Sequence, residues 1–334
     1  MTNKSIHLNS PFLLKPYGKN YLWGGRRLND DFAKGIDMFP LAETWECSTH
    51  PDGLSTISGG VHDGDTLAEV LRCHPEYLGT RHQKKGELPI LIKFIDAKED
   101  LSVQVHPDDA YAMEHENGSL GKTEFWYVLD AAEDAKLVYG LSRKVEAETL
   151  KRSIEQGNVE KYLQKVPIKK DDVFYIKAGT IHAIGGGALI AEVQESSNLT
   201  YRMYDYDRVD TQGKKRELHI DKALEVADLR GNMPPGQILR VLKFKPGCAT
   251  EFLCRCKYFQ VERMLVNTER LREMVSFCTT ALSFQVLLCT NGCGTIFYGA
   301  HEAIHFFKGD CIFIPSDSVT IKIHGKAQFL KVSC

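Results

Sequence analysis

Six short segments between residues 89 and 194 do most to limit what this chain can fold into. They are "PILIKFID" (89–96), "LSVQVH" (101–106), "EFWYVLD" (124–130), "KLVYGL" (136–141), "DVFYIK" (172–177) and "ALIAEVQ" (188–194). Each is rich in β-branched and aromatic residues and is bounded by Gly, Pro, Asp or Asn, the pattern of strands joined by turns. Helical patterning is sparse. Thr66 and Glu69 have capping-box spacing ahead of "LAEVLRCHPEYLG". Asp108 and Asp109 can cap a short helix that runs through Glu116 and closes at Asn117-Gly118. Leu150, Ile154, Val159 and Leu163 suggest a helical insertion near 143–165, broken around Gly157-Asn158.

Two stretches repeat one another: "IKKDDVFYIKAGTIHAI" (168–184) and "HFFKGDCIFIPSDSVTIKI" (305–323). Both read as basic residue, Asp, apolar strand, small-residue turn and second strand. Repeated blocks of short strands predict a mainly β protein of two jelly-roll barrels with a few inserted helices. Pro234-Pro235-Gly236 is the strongest linker signal. It divides the chain into a first domain over 1–234 and a second β domain over 237–334. Only the first copy carries a histidine in its turn, His182, where the second has "PSDS". The site is therefore expected in the first domain, and the second is expected to be scaffold without metal ligands.

With Lys+Arg 42 against Asp+Glu 44 and a net charge of −2 over 334 residues, nothing suggests a nucleic-acid or membrane-surface partner. No stretch approaches the ~20 apolar residues of a membrane span. The opening "MTNKSIHLNSPFLLKPYGK" lacks an apolar run of signal-peptide length, so a cytoplasmic protein is expected. The ten cysteines form no CxxC pair and read mostly as small buried hydrophobes in a reducing compartment. Cys254-Arg255-Cys256 puts two thiols on one strand face without partner ligands nearby, which favours core packing over a metal pair.

Polar residues at strand edges carry the functional signal. Gln104 and His106 lie two apart, so on a strand both side chains leave the same face while Val103 and Val105 leave the other. Glu124 opens the next apolar strand, and His182 sits in a turn between two others. Two imidazoles, a carboxylate and an amide suit a catalytic Zn²⁺ or similar divalent ion with one position open. Each is also an ordinary strand-edge residue when taken singly, and spacing alone leaves both readings open. Lys93, inside "PILIKFID", is costly to bury unless it faces a polar cleft or has a partner. The absence of a GxxxxGK[ST] loop means that any bound phosphate is held by side chains.

The segments "GELPILIKFIDAKEDLSVQVHPDD", "GKTEFWYVLDA", "IKAGTIHAIGGG" and "EVQESSNLTYRMYDYDR", with "YLWGGRRL" and "AETWECSTHPDG", resemble type I mannose-6-phosphate isomerases of the short bacterial form. The motifs run in order from about residue 12 to 220, and the last hundred residues match weakly. The resemblance implies cupin (jelly-roll) domains and one zinc ion per chain, held by Gln104, His106, Glu124 and His182. It implies interconversion of mannose 6-phosphate and fructose 6-phosphate by proton transfer between C2 and C1 through an enediol or enediolate. It also implies catalytic roles for Glu192, Arg202 and Lys122, without deciding which residue is the base. Lys93, Ser102, Lys122 and Arg202 are the implied substrate contacts. Glu195 and Asn198 stand where the family commonly has Gln and Asp, and Gly185-Gly186-Gly187 lacks a Lys or Pro often seen there; both departures are expected near the cleft. Two rival readings fit the same residues: a cupin oxygenase holding Fe²⁺, and a sugar-phosphate sensor without turnover. Gln104 and the basic residues suit an anionic sugar better than dioxygen chemistry.

Overall fold

The computed structural model describes residues 9–210, 212–231, 235–237 and 239–334, so the Pro-Pro-Gly linker lies partly outside the described residues. The fold is mainly β and is built from three antiparallel sheets of ten, six and five strands. All six expected strands form, as Ile90–Asp96, Val103–Val105, Glu124–Ala131, Lys136–Leu141, Val173–Ile176 and Ala188–Glu195. No helix among the described residues is long and apolar enough to cross a membrane.

The six-stranded sheet is the middle layer, which explains why Ile90–Asp96 and Ala188–Glu195 are buried along their whole length. Strand alternation sends Ile90, Ile92 and Phe94, together with Leu189, Ala191 and Val193, into a core shared with Val261, Phe313 and Val332 of the ten-stranded sheet. Their neighbours Ile95 and Ile190 point the other way, with Trp126, into a core shared with Leu137 and Ile184 of the five-stranded sheet. The polar residues Lys93, Glu124 and Glu192 lie on this second face, so whatever they do happens between the six- and five-stranded layers.

The ten-stranded sheet is not made from the C-terminal part alone. Phe12–Lys15 pairs with Cys311–Ile314, setting Leu14 opposite Cys311, and Thr56–Ser58 continues the sheet beyond it. Phe12 stacks on Phe313, which stacks in turn on Phe284. Lys34 clamps the same junction, bonding Glu46 and the Gly309 carbonyl.

Thr66 and Glu69 form the expected capping box on Leu67–Cys73. Asp108 caps Asp109–His115 by accepting from the Tyr111 amide. The insertion differs from its expected form. Ala147–Glu155 is a helix, but Gly157 at positive φ ends it, Val159–Tyr162 is a single 3-10 turn, and Leu163 opens a strand. That strand, Leu163–Pro167, pairs with Lys136–Leu141, and the pairing outweighs the short helical pattern.

Candidate active site

Strand register assembles the site. In the five-stranded sheet Val103–Val105 lies between His182–Ile184 and Tyr201–Tyr204, and both His182 and Arg202 stand opposite Gln104. Residues in one register row project from one face, so Arg202, Gln104 and His182 are presented together. Their neighbours Val103, Val105, Ile181, Ala183 and Tyr201 fill a separate core on the opposite face. His182 is thus a strand residue and not a turn residue as its sequence context suggested, because it pairs with Tyr139 as well as Gln104. The six-stranded sheet supplies a second row: Trp126, Glu192 and Lys93 stand side by side, with Trp45 next. Glu124, two residues before Trp126, shares that face.

The two rows meet at a buried cluster. The candidate ligand atoms of His106, Glu124 and His182 all lie within 4.8 Å of one another. Nε2 of His106 is 3.2 Å from Glu124 Oε1, and Nε2 of His182 is 3.6 Å from Glu124 Oε2. Both ring nitrogens of His106, both oxygens of Glu124 and Nε2 of His182 make no hydrogen bond of good geometry. Leaving one buried polar atom unpaired costs ~1–3 kcal/mol, so convergence of several at one point marks a missing partner.

The surroundings prepare these atoms for a cation. His182 Nδ1 lies 2.8 Å from the Thr180 carbonyl. A carbonyl can only accept, so Nδ1 carries the proton and the Nε2 lone pair faces Glu124. Burial, aided by the Lys122 charge, pushes His106 down to about 3, and burial likewise lowers His182, so both imidazoles are neutral ligands. Burial alone would raise the Glu124 carboxyl, but the Lys122 charge beside it holds it well below the usual range. Neutral nitrogen donors and an ionised carboxylate fit a divalent metal. The Gln104 amide stands opposite His182 in register, where it can complete the donor set.

A cavity of about 260 Å³ opens beside the cluster, bordered by Gln104, Glu124, Lys93, Lys122, Glu192, Ser102 and Arg202 among others. Two buried ion pairs line it: Lys93 Nζ lies 2.9 Å from Glu192 and Lys122 Nζ lies 3.1 Å from Glu124. Trp126 Nε1 donates to the other Glu192 oxygen at 2.8 Å. Burial and the Glu124 charge raise the Glu192 carboxyl, with Lys93 restraining the rise. Arg202 donates to Ser102 Oγ at 3.2 Å and to the Glu217 carbonyl at 3.1 Å.

Of the candidate site residues, Lys93, Ser102, Gln104, Lys122, Glu124, Glu192 and Arg202 line the cavity, and His106 and His182 are buried beside it against Glu124. Of the two departures from the family pattern, Asn198 borders the cavity. Glu195 turns away and accepts from the Thr123 amide at 2.7 Å. Gly185 and Gly186 border a separate cavity, and a Cβ on Gly185 would meet the Lys136 carbonyl at 2.0 Å, so no side chain fits there. Sequence reasoning missed Tyr21, Glu43, Arg216 and His219, which also line the cavity. Glu43 had a visible cue in the alternation of "ETWEC", whereas Arg216 and His219 follow an aperiodic polar loop. Cys254 and Cys256 pack in or against the apolar core, as expected.

A layered antiparallel β fold with a buried His–Glu–His cluster in a polar cleft defines a metal-capable protein of cupin type. Residues 12–133 match the family model "Phosphomannose isomerase type I, catalytic domain". Over 320 residues the chain is 45% identical to mannose-6-phosphate isomerase of Streptococcus mutans, covering 96% of this chain and 97% of the relative. It is 37% identical over 325 residues to mannose-6-phosphate isomerase ManA of Bacillus subtilis, covering 95% and 97%. A crystal structure of the mannose 6-phosphate isomerase from Bacillus subtilis superposes with a TM-score of 0.88 at 35% identity, covering 97% of this chain and 99% of that one. The chain belongs to the type I mannose-6-phosphate isomerase family. The likeness spans nearly the whole chain, including the C-terminal part whose motifs had looked weak.

Proposed function

We propose that this protein is a metal-dependent aldose–ketose isomerase that interconverts mannose 6-phosphate and fructose 6-phosphate. The observation that carries the reading is the convergence of the His106, Glu124 and His182 ligand atoms within 4.8 Å of one another, beside a cleft lined by basic and acidic side chains. In this reading Gln104, His106, Glu124 and His182 hold one Zn²⁺. Bound there, the ion supplies Lewis acidity and orientation for the sugar oxygens.

The chain's own residues do the remainder. Glu192 and Lys122 flank the reacting carbons as candidate bases, and a raised carboxyl such as Glu192 lies nearer to working pH than an ordinary one. Arg202 keeps its proton and so stabilises negative charge on the enediolate or contacts the phosphate. Lys93 and Ser102 orient the substrate, with Lys93 also holding Glu192 in place. The pH profiles of Glu192→Gln and Lys122→Met identify the base, since only the base takes a limb of the profile with it.

We also read residues 1–234, with the insertion near 143–165, as the catalytic domain and 237–334 as a second β domain without metal ligands, the pair forming two jelly-roll barrels. Ten free cysteines fit the reducing cytoplasm. The deciding experiment follows mannose 6-phosphate conversion by the purified protein as isolated, after chelation, and after zinc is restored. Activity lost with the metal and regained with zinc is expected. No turnover by a folded, zinc-loaded sample would refute the isomerase reading.

A further inference from the structure

We propose that Arg216, positioned by Asp205, is the anchor that selects a phosphorylated over an unphosphorylated sugar, with Tyr21 and His219 completing that end of the cleft. The assignment rests on the sugar-phosphate reading above and adds residues and a direction to it.

Charge along the cavity carries the argument. At the cluster end both ammoniums have carboxylate partners, Lys93 with Glu192 and Lys122 with Glu124. At the opposite end, among the described residues, Arg202 bonds neutral acceptors, the Ser102 hydroxyl and a main-chain carbonyl. Arg216 borders the same cavity, and its Nε and Nη2 bond Asp205 at 2.7 and 2.6 Å. The same carboxylate also receives Arg208. Two guanidiniums thus share one buried carboxylate, and Arg202 adds a third positive charge to the same end of the cavity. Asp207 is occupied by Lys215, Glu43 accepts from Trp45 Nε1, and the Glu217 side chain is exposed. The surplus of positive charge suits a dianion. The mutual repulsion is visible in Arg202, which burial and then the Arg216 charge hold below its ordinary value.

Geometry gives the direction. Asp205 engages one edge of the Arg216 fork, which fixes its plane and leaves Nη1 for a ligand. Tyr21 and His219 border the cavity beside it, and His219 is tied to Arg202: its amide donates to the Arg202 carbonyl, and its Nδ1 accepts from the Arg202 amide. Arg202 and His182 are separated by the Gln104 strand, two strand spacings or ~10 Å, the reach of an open six-carbon phosphate. A sugar whose C1 and C2 meet the cluster therefore has its phosphate at Arg202 and Arg216.

The test compares Arg216→Gln and Arg216→Lys with wild type, using mannose 6-phosphate, unphosphorylated mannose and inorganic phosphate. Melting temperature and metal content are checked first, and Asp205 keeps Arg208 as a partner in both variants. In Arg216→Gln the KM for mannose 6-phosphate should rise about 30-fold or more. Competitive inhibition by phosphate should weaken in parallel, and kcat/KM for mannose should change far less. Arg216→Lys should recover part of the loss. An unchanged KM and unchanged phosphate inhibition in folded, metal-loaded Arg216→Gln would overturn the assignment. If wild type fails to isomerise mannose 6-phosphate, the parent reading falls, and phosphate titration calorimetry decides separately. Binding lost in Arg216→Gln upholds the anion site, and equal or absent heats overturn it.

Discussion

The Lys93–Glu192 pair offers a test that needs no enzyme assay. Both side chains are about 95% buried and their charged atoms lie 2.9 Å apart. At that distance an effective dielectric of ~20 gives an attraction of ~6 kcal/mol, part of which is spent on removing both groups from water. Burial would depress the Lys93 ammonium, yet Glu192 and then Glu43 outweigh it and keep it charged. Glu192→Gln keeps the shape and the Trp126 hydrogen bond but strips Lys93 of its nearest countercharge. Lys93→Met does the reverse. Removing one member of a buried pair costs ~3–5 kcal/mol because the other charge is left uncompensated. The double variant leaves neither charge behind, so its loss should fall at least ~2 kcal/mol short of the sum of the two singles. Urea unfolding of the four proteins, metal-free and at one pH, measures the cycle. Additivity within ~0.5 kcal/mol would refute the reasoning and show that Glu43 holds Lys93 by itself.

Glu124→Gln should fold but bind little metal and turn over poorly; full metal content with normal turnover removes Glu124 from the site. Arg202→Ala should keep its metal while kcat/KM for mannose 6-phosphate falls by ~10²-fold or more, and near-normal kinetics would end its assigned role. Glu195 is raised by burial from 4.5 to about 8. The folded state therefore keeps a proton that the unfolded state has lost, and stability should fall as pH rises from about 5 to 8. Glu195→Gln should flatten that slope, because the amide can still accept from Thr123. Parallel melting-temperature curves for variant and wild type between pH 5 and 8 would contradict this.

How much of the molecule was legible depends on the kind of signal each residue leaves. Period-two alternation identified the strands, and it also gave the shared face of Gln104 and its neighbours, since both follow from backbone geometry that is local in sequence. The meeting of His106, Glu124 and His182 is not local. It depends on which strands pair and in what register, and a shift of one residue would send Gln104 into the apolar core and turn Val103 and Val105 toward the cleft. Family resemblance supplied that information where periodicity could not. Lys93 was readable as an anomaly, a charge in an apolar run that had to have a partner, but its partner Glu192 lies a hundred residues away in the chain. Arg216 and His219 left no periodic trace because an irregular loop holds them, and the helical pattern ending at Leu163 was misleading because sheet pairing overrode it.

The crossing of Phe12–Lys15 into the far sheet has a consequence for biosynthesis. This segment leaves the ribosome roughly 300 residues before its partner Cys311–Ile314, a wait of ~15–60 s at 5–20 residues per second. Throughout that interval Phe12 and Leu14 face a surface still missing Phe313, and the nascent chain presents an unpaired apolar edge of the kind chaperones shield. A prematurely terminated chain never acquires the missing strand. Synthesis of Cys311–Ile314 is thus coupled to burial of Phe12–Lys15, and a chain that stops short of that strand keeps the edge uncovered.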